Sequence, residues 1–283
     1  MKRETSPYQK HIFHKIFLLA IIFQLMAILI PINQSQAADI TWTGAVSTDW
    51  ATAGNWSLNT VPTSADNVTI PDASTTPNDP SISASAVAAN VTIAASGILN
   101  GNANTISVYG NWTNSGTFSH GNGTVAFGGN SNTAFTPGSS SYNNLSINKP
   151  DVYYLNDLTL SGTATVEGNL THIAGELVGG QIDLSGNYII EASADGAPLE
   201  TSNPTIVNFN DAVADQQLIY NTGGVGTHVR IDKADGTLSV LGDVVLSGWT
   251  YVQGAISGLD TYPLLLAMIT TELLRREVLY IQM

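Results

Sequence analysis

Between Asn144 and Ile190 apolar and polar residues alternate in short pieces, and glycine punctuates them. Glycines stand at Gly162, Gly168, Gly175, Gly180 and Gly186, so the gaps are six, seven, five and six residues. The apolar positions between them are Leu158/Leu160, Ala164/Val166, Leu170 with Ile173, Ile182/Leu184 and Tyr188/Ile190. A period of two sends alternate side chains to opposite sides of an extended chain. Each piece is too short for a helix, and each ends where Gly or Asn can adopt a positive φ. A chain that turns this often, always with one apolar side, coils on itself. The pattern predicts an all-β fold, a parallel β-helix (β-solenoid). The expected inward column is Val125, Phe127, Ile147, Leu158, Leu160, Val166, Ile182, Leu184, Val207, Phe209, Ile231, Val244 and Leu246. The competing all-β reading is a string of tandem β-sandwich domains, each of about 80 residues.

Longer correspondences bear on that choice. Gly110-Asn111-Trp112 returns as Gly186-Asn187-Tyr188, and Thr124–Phe127 returns near Ile206–Phe209. Leu145–Lys149 returns as Val229–Lys233, and Leu158–Gly162 as Val244–Gly248. The offsets grow from 76 to 86 residues, as a duplicated unit with lengthening loops would give. Val91-Thr92-Ile93 also resembles Leu145-Ser146-Ile147, but only 54 residues on, which leaves 22 extra residues in the second copy. A sandwich has no place for an inserted strand set, whereas a solenoid absorbs one more turn by lengthening its stack. The solenoid is therefore the preferred reading. Asn111, Asn144, Asn169 and Asn187 are expected at its turns, in polar ladders that pair from one turn to the next.

The ends of the chain depart from the pattern. Residues 1–37 read as a signal peptide: Lys2, Arg3, Lys10 and Lys15 precede an apolar run from Ile16 to Ile30, Pro31 breaks it, and Ser35-Gln36-Ala37 supplies a cleavage site. At fifteen residues the run is shorter than the roughly 20 that span a bilayer, so no membrane insertion is expected after cleavage. Residues 38–72 hold Trp42, Trp50 and Trp56, three of the five tryptophans. They read as an N-terminal cap whose rings plug the end of the stack, since terminal repeats must differ from internal ones. The functional alternative is an aromatic platform that binds carbohydrate through Trp42, Trp50 and Trp56. Val68 and Ile70 are expected in the first solenoid strand, and residues 73–258 form the repeats. The Ala/Ser/Pro-rich stretch 73–89 is expected as a loop with one strand, with Ile82 and Val87 entering the core. Residues 259–283 lack Gly and Asn. They read as a tail out of register through truncation or a frame change, or as a capping helix facing the stack with Leu264, Met268 and Leu273.

Charge removes one class of function. The whole chain carries 9 basic and 22 acidic side chains. Cleavage of the leader takes four basic residues and Glu4, leaving a net charge of −16. Between Ala38 and Gly258 the only cations are Lys149, Arg230 and Lys233, so the basic footprint of a nucleic-acid partner is missing. Cysteine is absent, so burial and backbone pairing alone must hold an exported chain.

The opening has a recognisable form: W-x-G at Trp42, D-W at Asp49-Trp50, N-W-S at Asn55-Trp56-Ser57, then Pro62 and D-x-V-x-I-P from Asp66 to Pro71. It resembles the start of many bacterial exported surface proteins, whose bodies look like the parallel β-helix passengers of autotransporters and related repeat adhesins. The resemblance implies a structural cap at Trp42, Trp50 and Trp56 and carries no shared catalytic set. It also implies a surface anchor C-terminal to the repeats. None is visible, so the chain is expected to be the front part of something longer.

Candidate chemistry is sparse. Seven N-x-S/T triplets begin at Asn55, Asn67, Asn90, Asn111, Asn122, Asn144 and Asn169; they read as turn asparagines followed by strand hydroxyls rather than glycosylation sites. His120, His172 and His228 lack zinc-site spacing and are expected on strand surfaces. Asp151, Asp157, Glu167, Asp183, Asp211 and Asp215 are the carboxylates a β-helical polysaccharide-degrading enzyme would use, but a lyase also needs a strong base and this body has three cations. Asp211 and Asp215, beside Asn208 and Asn210, are candidate Ca2+ ligands, although no calcium-loop pattern surrounds them. The expectation is a non-enzymatic secreted, extracellular or cell-surface protein of the adhesin type. Its Thr/Asn/Ser faces would meet extracellular glycans or a host or neighbouring cell surface, with no metal or other cofactor assigned and the carbohydrate-binding module as alternative.

Overall fold

The computed structural model describes residues 37–150, 156–194, 203–211, 214–221, 226–242 and 244–258. Through them the chain coils, and each short strand pairs in parallel with the strand one turn before it and the strand one turn after. Nineteen strands form one connected network, and Ile98–Asn100 pairs with Thr117–Ser119 beside it. The antiparallel contacts among the described residues are single bridges, Trp42 with Trp56 and Val178 with Pro204. A sandwich is built from antiparallel neighbours, so these registers exclude it. The protein is a β-solenoid.

Its cross-section has three faces. On the first, Ile40 pairs with Val68, Val68 with Val91, Val91 with Trp112, Trp112 with Phe135 and Phe135 with Leu160. On the second the sequence is Ala86, Ile106, Val125, Leu145, Leu170, Tyr188, Leu218 and Val240. On the third, Tyr142 leads to Val166, Leu184, Phe209, Ile231 and Tyr251. From Val68 to Phe135 the steps are 23, 21 and 23 residues, the length of three short strands and their corners. The corners need glycine where turns touch: a Cβ at Gly186 would overlap the Gly168 carbonyl one turn below.

Every one of these residues from Ile40 to Val240, apart from half-buried Tyr251, points inward and is buried. Apolar side chains, aliphatic and aromatic, stack on one another from turn to turn, each aliphatic contributing roughly 1.5–3 kcal/mol by leaving water. The expected inward column is borne out from Val125 to Ile231; Val244 and Leu246 pack against it only partly buried. In the middle Trp112, Phe118, Phe127, Phe135 and Tyr142 form a ring cluster with centroids 4.9–6.1 Å apart. Trp112 Nε1–H donates to Tyr142 Oη at 2.9 Å, and that hydroxyl donates to the Pro137 carbonyl at 2.8 Å, so neither buried polar atom is left without a partner.

Four expectations need correction. Val68 and Ile70 are not in the first strand, because Asp39–Thr41 already lies under Asn67–Ile70; stacking begins inside the cap segment. Within 73–89 Ile82 is in the core, but Ala86 and Ala88 face inward while Val87 is half-exposed. After Leu170 the inward residue is His172, not Ile173. The long duplicated unit is not a structural unit: Trp112 lies on the first face and Tyr188 on the second, while Val125 and Leu145 lie on the second but Val207 and Val229 on the third. Any short alternating strand resembles any other, so the true repeat is the single turn. Residues 1–36, on which the expected signal peptide falls, Asp151 and residues 259–283 lie outside the described residues.

Candidate functional site

The cap is built by two tryptophans standing edge-on to a third. Trp42 and Trp50 meet Trp56 with centroids 4.9 and 4.7 Å apart at steep angles. All three are at most 3% exposed. Trp42 Nε1–H donates to the Asn78 carbonyl and Trp56 Nε1–H to the Trp50 carbonyl. Asn55 is buried below them; its Oδ1 accepts from Val46 and Ser47 N–H, and its Nδ2 donates to Ser47 Oγ and the Asp49 carbonyl. Asp66 closes the loop beside them. Burial alone would raise its carboxyl, but hydrogen bonds from Thr63 and from Ala38 N–H outweigh that and hold it low. A sugar platform needs an open ring face, and this packing leaves none of the three rings open.

The histidines separate. His120 lies 3.3 Å from Glu167 in an ion-pair geometry near the surface, and His228 Nε2 meets Thr250 Oγ1 at 2.9 Å. His172 is fully buried, against expectation. Its Nε2–H donates to the Gly175 carbonyl at 2.6 Å, since a carbonyl can only accept. Nδ1 then accepts from the Tyr188 hydroxyl at 3.1 Å, whose oxygen takes the Thr227 N–H at 3.2 Å. Burial pulls His172 down to about 4, against the Gly175 hydrogen bond, so the ring is neutral. Alternation from Leu170 pointed to position 172, but a polar residue in an aliphatic column was passed over for Ile173.

Two lysines are also buried. Lys149 Nζ donates to the Ser131 carbonyl at 2.7 Å, and burial lowers it to about 8 against the pull of Asp157. Lys233 Nζ donates to the Asp211 and Ala214 carbonyls and to Gln216 Oε1 at 2.7–2.9 Å. Lys149 follows the strand Asn144–Asn148 and Lys233 lies within the strand His228–Leu241, and each ammonium ties down the corner one turn below. The candidate calcium ligands sit at the second of these corners: Asp211 Oδ1 accepts Ala214 N–H, Asp215 Oδ1 accepts Thr237 N–H, and both attract the Lys233 charge. Among the described residues no three acidic or histidine side chains converge as a metal site. The other carboxylates are spread over the faces; Asp183 accepts from Gln181 Nε2 and Asn208 Nδ2, and Asp157 stands in register with Glu176.

What the fold does bring together is a set of outward side chains that beyond Asp39 are uncharged. On the first face the outward positions form two parallel ranks. One rank runs Asp39, Asn67, Asn90, Asn111, Ala134; the other runs Thr41, Thr69, Thr92, Thr113, Thr136. The asparagines are occupied. Asn67 Nδ2 donates to Asp39 Oδ1, Asn90 Nδ2 to Asn67 Oδ1, and the Oδ1 atoms of Asn90 and Asn111 accept the backbone N–H of Asn111 and Ala134 one turn on. On the second face Asn144, Asn169 and Asn187 repeat the device, accepting the N–H of Asn169, Asn187 and Gln217 at 2.8–2.9 Å. These ladders differ from the expected amide stacks, because the bond usually runs from backbone N–H to side-chain oxygen. The five threonine hydroxyls, by contrast, make no hydrogen bond among the described residues. The sequence showed three of the five, Thr69, Thr92 and Thr113, as the ends of N-x-T triplets, and the register put all five into a line.

A protein-family profile described as a domain of unknown function (DUF8693) matches residues 41–136, the stretch from the first rung of the threonine rank to the fifth. No curated protein and no solved structure matches the chain.

Proposed function

We propose that the chain is an exported, non-enzymatic protein of the adhesin type, acting at the cell surface or in the extracellular space. The observation that carries this reading is the repetition of uncharged outward side chains in register on successive turns. A repeated weak contact gains strength by number, so such a face suits extended partners, extracellular glycans or a neighbouring cell, over a small molecule in a cleft. The leader-like residues 1–37 and the resemblance of the cap segment to exported surface proteins support the location. The cysteine-free composition is compatible with it, since the stacked core needs no disulfide.

Expression of the full chain in a bacterium, followed by mass analysis of the exported product, tests the first half: the mature chain is expected to begin at Ala38. The second half is read from the product coated on beads at graded densities. Adhesion to glycan-bearing surfaces is expected to rise more steeply than the density. Retention of Met1 in a cytoplasmic product, or saturable one-to-one binding of a short oligosaccharide, would overturn the reading.

A further inference from the structure

The threonine rank on the first face has a geometry of its own. Thr41, Thr69, Thr92, Thr113 and Thr136 stand in register on five successive strands. Parallel strands stack about 4.8 Å apart, so hydroxyl and methyl groups recur at that interval. A β-branched side chain on a strand is stiff at χ1, and the ladder bonds of the neighbouring asparagines fix the backbone behind it. Among the described residues the hydroxyls have no partner, and from Asn67 to Thr136 the outward positions of both ranks carry no charge. The rank is thus a rigid, repeating, weakly polar line.

Such a line matches a solid with the same repeat better than it matches a flexible chain. A single soluble oligosaccharide is gripped one-to-one through stacked aromatic faces and charged groups, and from Asn67 to Thr136 the two ranks hold no aromatic ring and no charge. Bulk water gains nothing from five hydroxyls in register. Crystalline water does, because its surface oxygens repeat at nearly the strand spacing, and ordered waters held between the threonine methyls can join the lattice with little further loss of entropy. We propose that the first face binds ice, with Thr41, Thr69, Thr92, Thr113 and Thr136 as the contact rank. The inference does not rest on the surface-protein reading.

The test uses the chain without its leader-like segment, residues 38–283, in a nanolitre freezing assay and in partition into a slowly growing ice hemisphere. The native chain is expected to facet ice crystals and to enter the hemisphere. Thr92→Tyr with Thr113→Tyr keeps residues that suit an outward strand position but breaks the line, and is expected to reduce both readouts at least tenfold. The pair Ser146→Tyr with Thr171→Tyr on the second face is expected to leave them unchanged. If the tyrosine pair fails to fold by circular dichroism, Thr92→Val with Thr113→Val is read instead; it keeps the shape, removes two hydroxyls and is expected to lower the freezing gap severalfold. Absence of faceting by the native chain, or equal loss from the second-face pair, overturns the proposal. Binding to crystalline polysaccharide without binding to ice overturns it as well.

Discussion

His172 is a titratable ring sealed inside an aliphatic column, and that makes it a source of acid sensitivity. Its folded pKa, about 4, lies below the ordinary value of 6.5 because burial penalises the charged form. Between those values the unfolded chain binds a proton that the folded chain refuses. The associated stability is therefore complete above pH 6.5 and is lost as the pH falls toward 4. The shift corresponds to about 3 kcal/mol. Urea titrations at pH 7 and pH 4.5 are expected to show a loss of that order in the native chain, over and above the contribution of its carboxylates. His172→Gln is expected to start less stable and to lose markedly less on acidification; an equal acid loss in both would mean that His172 is charged or exposed in the folded protein. Lys149 and Lys233 follow a different rule at the same scale. Their ammonium groups are buried and donate to backbone carbonyls of the corner one turn below, so the cation acts as a tie for the turn beneath it.

The asparagine ladders show how one element is fastened to the next. Asn169 N–H donates to Asn144 Oδ1, and Asn169 Oδ1 accepts from Asn187 N–H. Asn169→Ala leaves the Asn187 N–H without its acceptor at a corner, which costs about 1–3 kcal/mol where water cannot replace it. Asn169→Asp keeps the acceptor and is expected to recover most of the loss in a denaturant titration at pH 7; equal destabilisation by both would show that the side-chain oxygen is not what matters. At this scale the sequence was largely legible. Period-two alternation named the inward residues from Val125 to Ile231, and glycine spacing named the corners. It misplaced residues where chemistry opposed pattern, as at His172, or where size did, as at Val87, since the inward positions there are the small residues Ala86 and Ala88. The polar ladders were foreseen as a class, but their bonds depend on which backbone N–H lies above which asparagine, and only the register supplies that.

For the whole molecule, what the sequence could not convey is which strand lies on which face. Corner lengths vary, so the same short motif lands one face over after several turns, as Val125 and Val207 do. A line such as the threonine rank is invisible until turns of 28, 23, 21 and 23 residues are brought into register. The central claim is that register, and the absence of cysteine lets it be measured with paired spin labels placed outward on the rank. Between Thr41 and Thr136 lie four strand steps, about 19 Å at the parallel-strand spacing. Double electron–electron resonance on chains labelled at Thr41/Thr136 is expected to give a narrow distribution near that distance plus the label arms, and Thr69/Thr136 should be shorter by one step. A broad distribution centred well beyond about 35 Å, or no shortening between the two pairs, would contradict the stacked register.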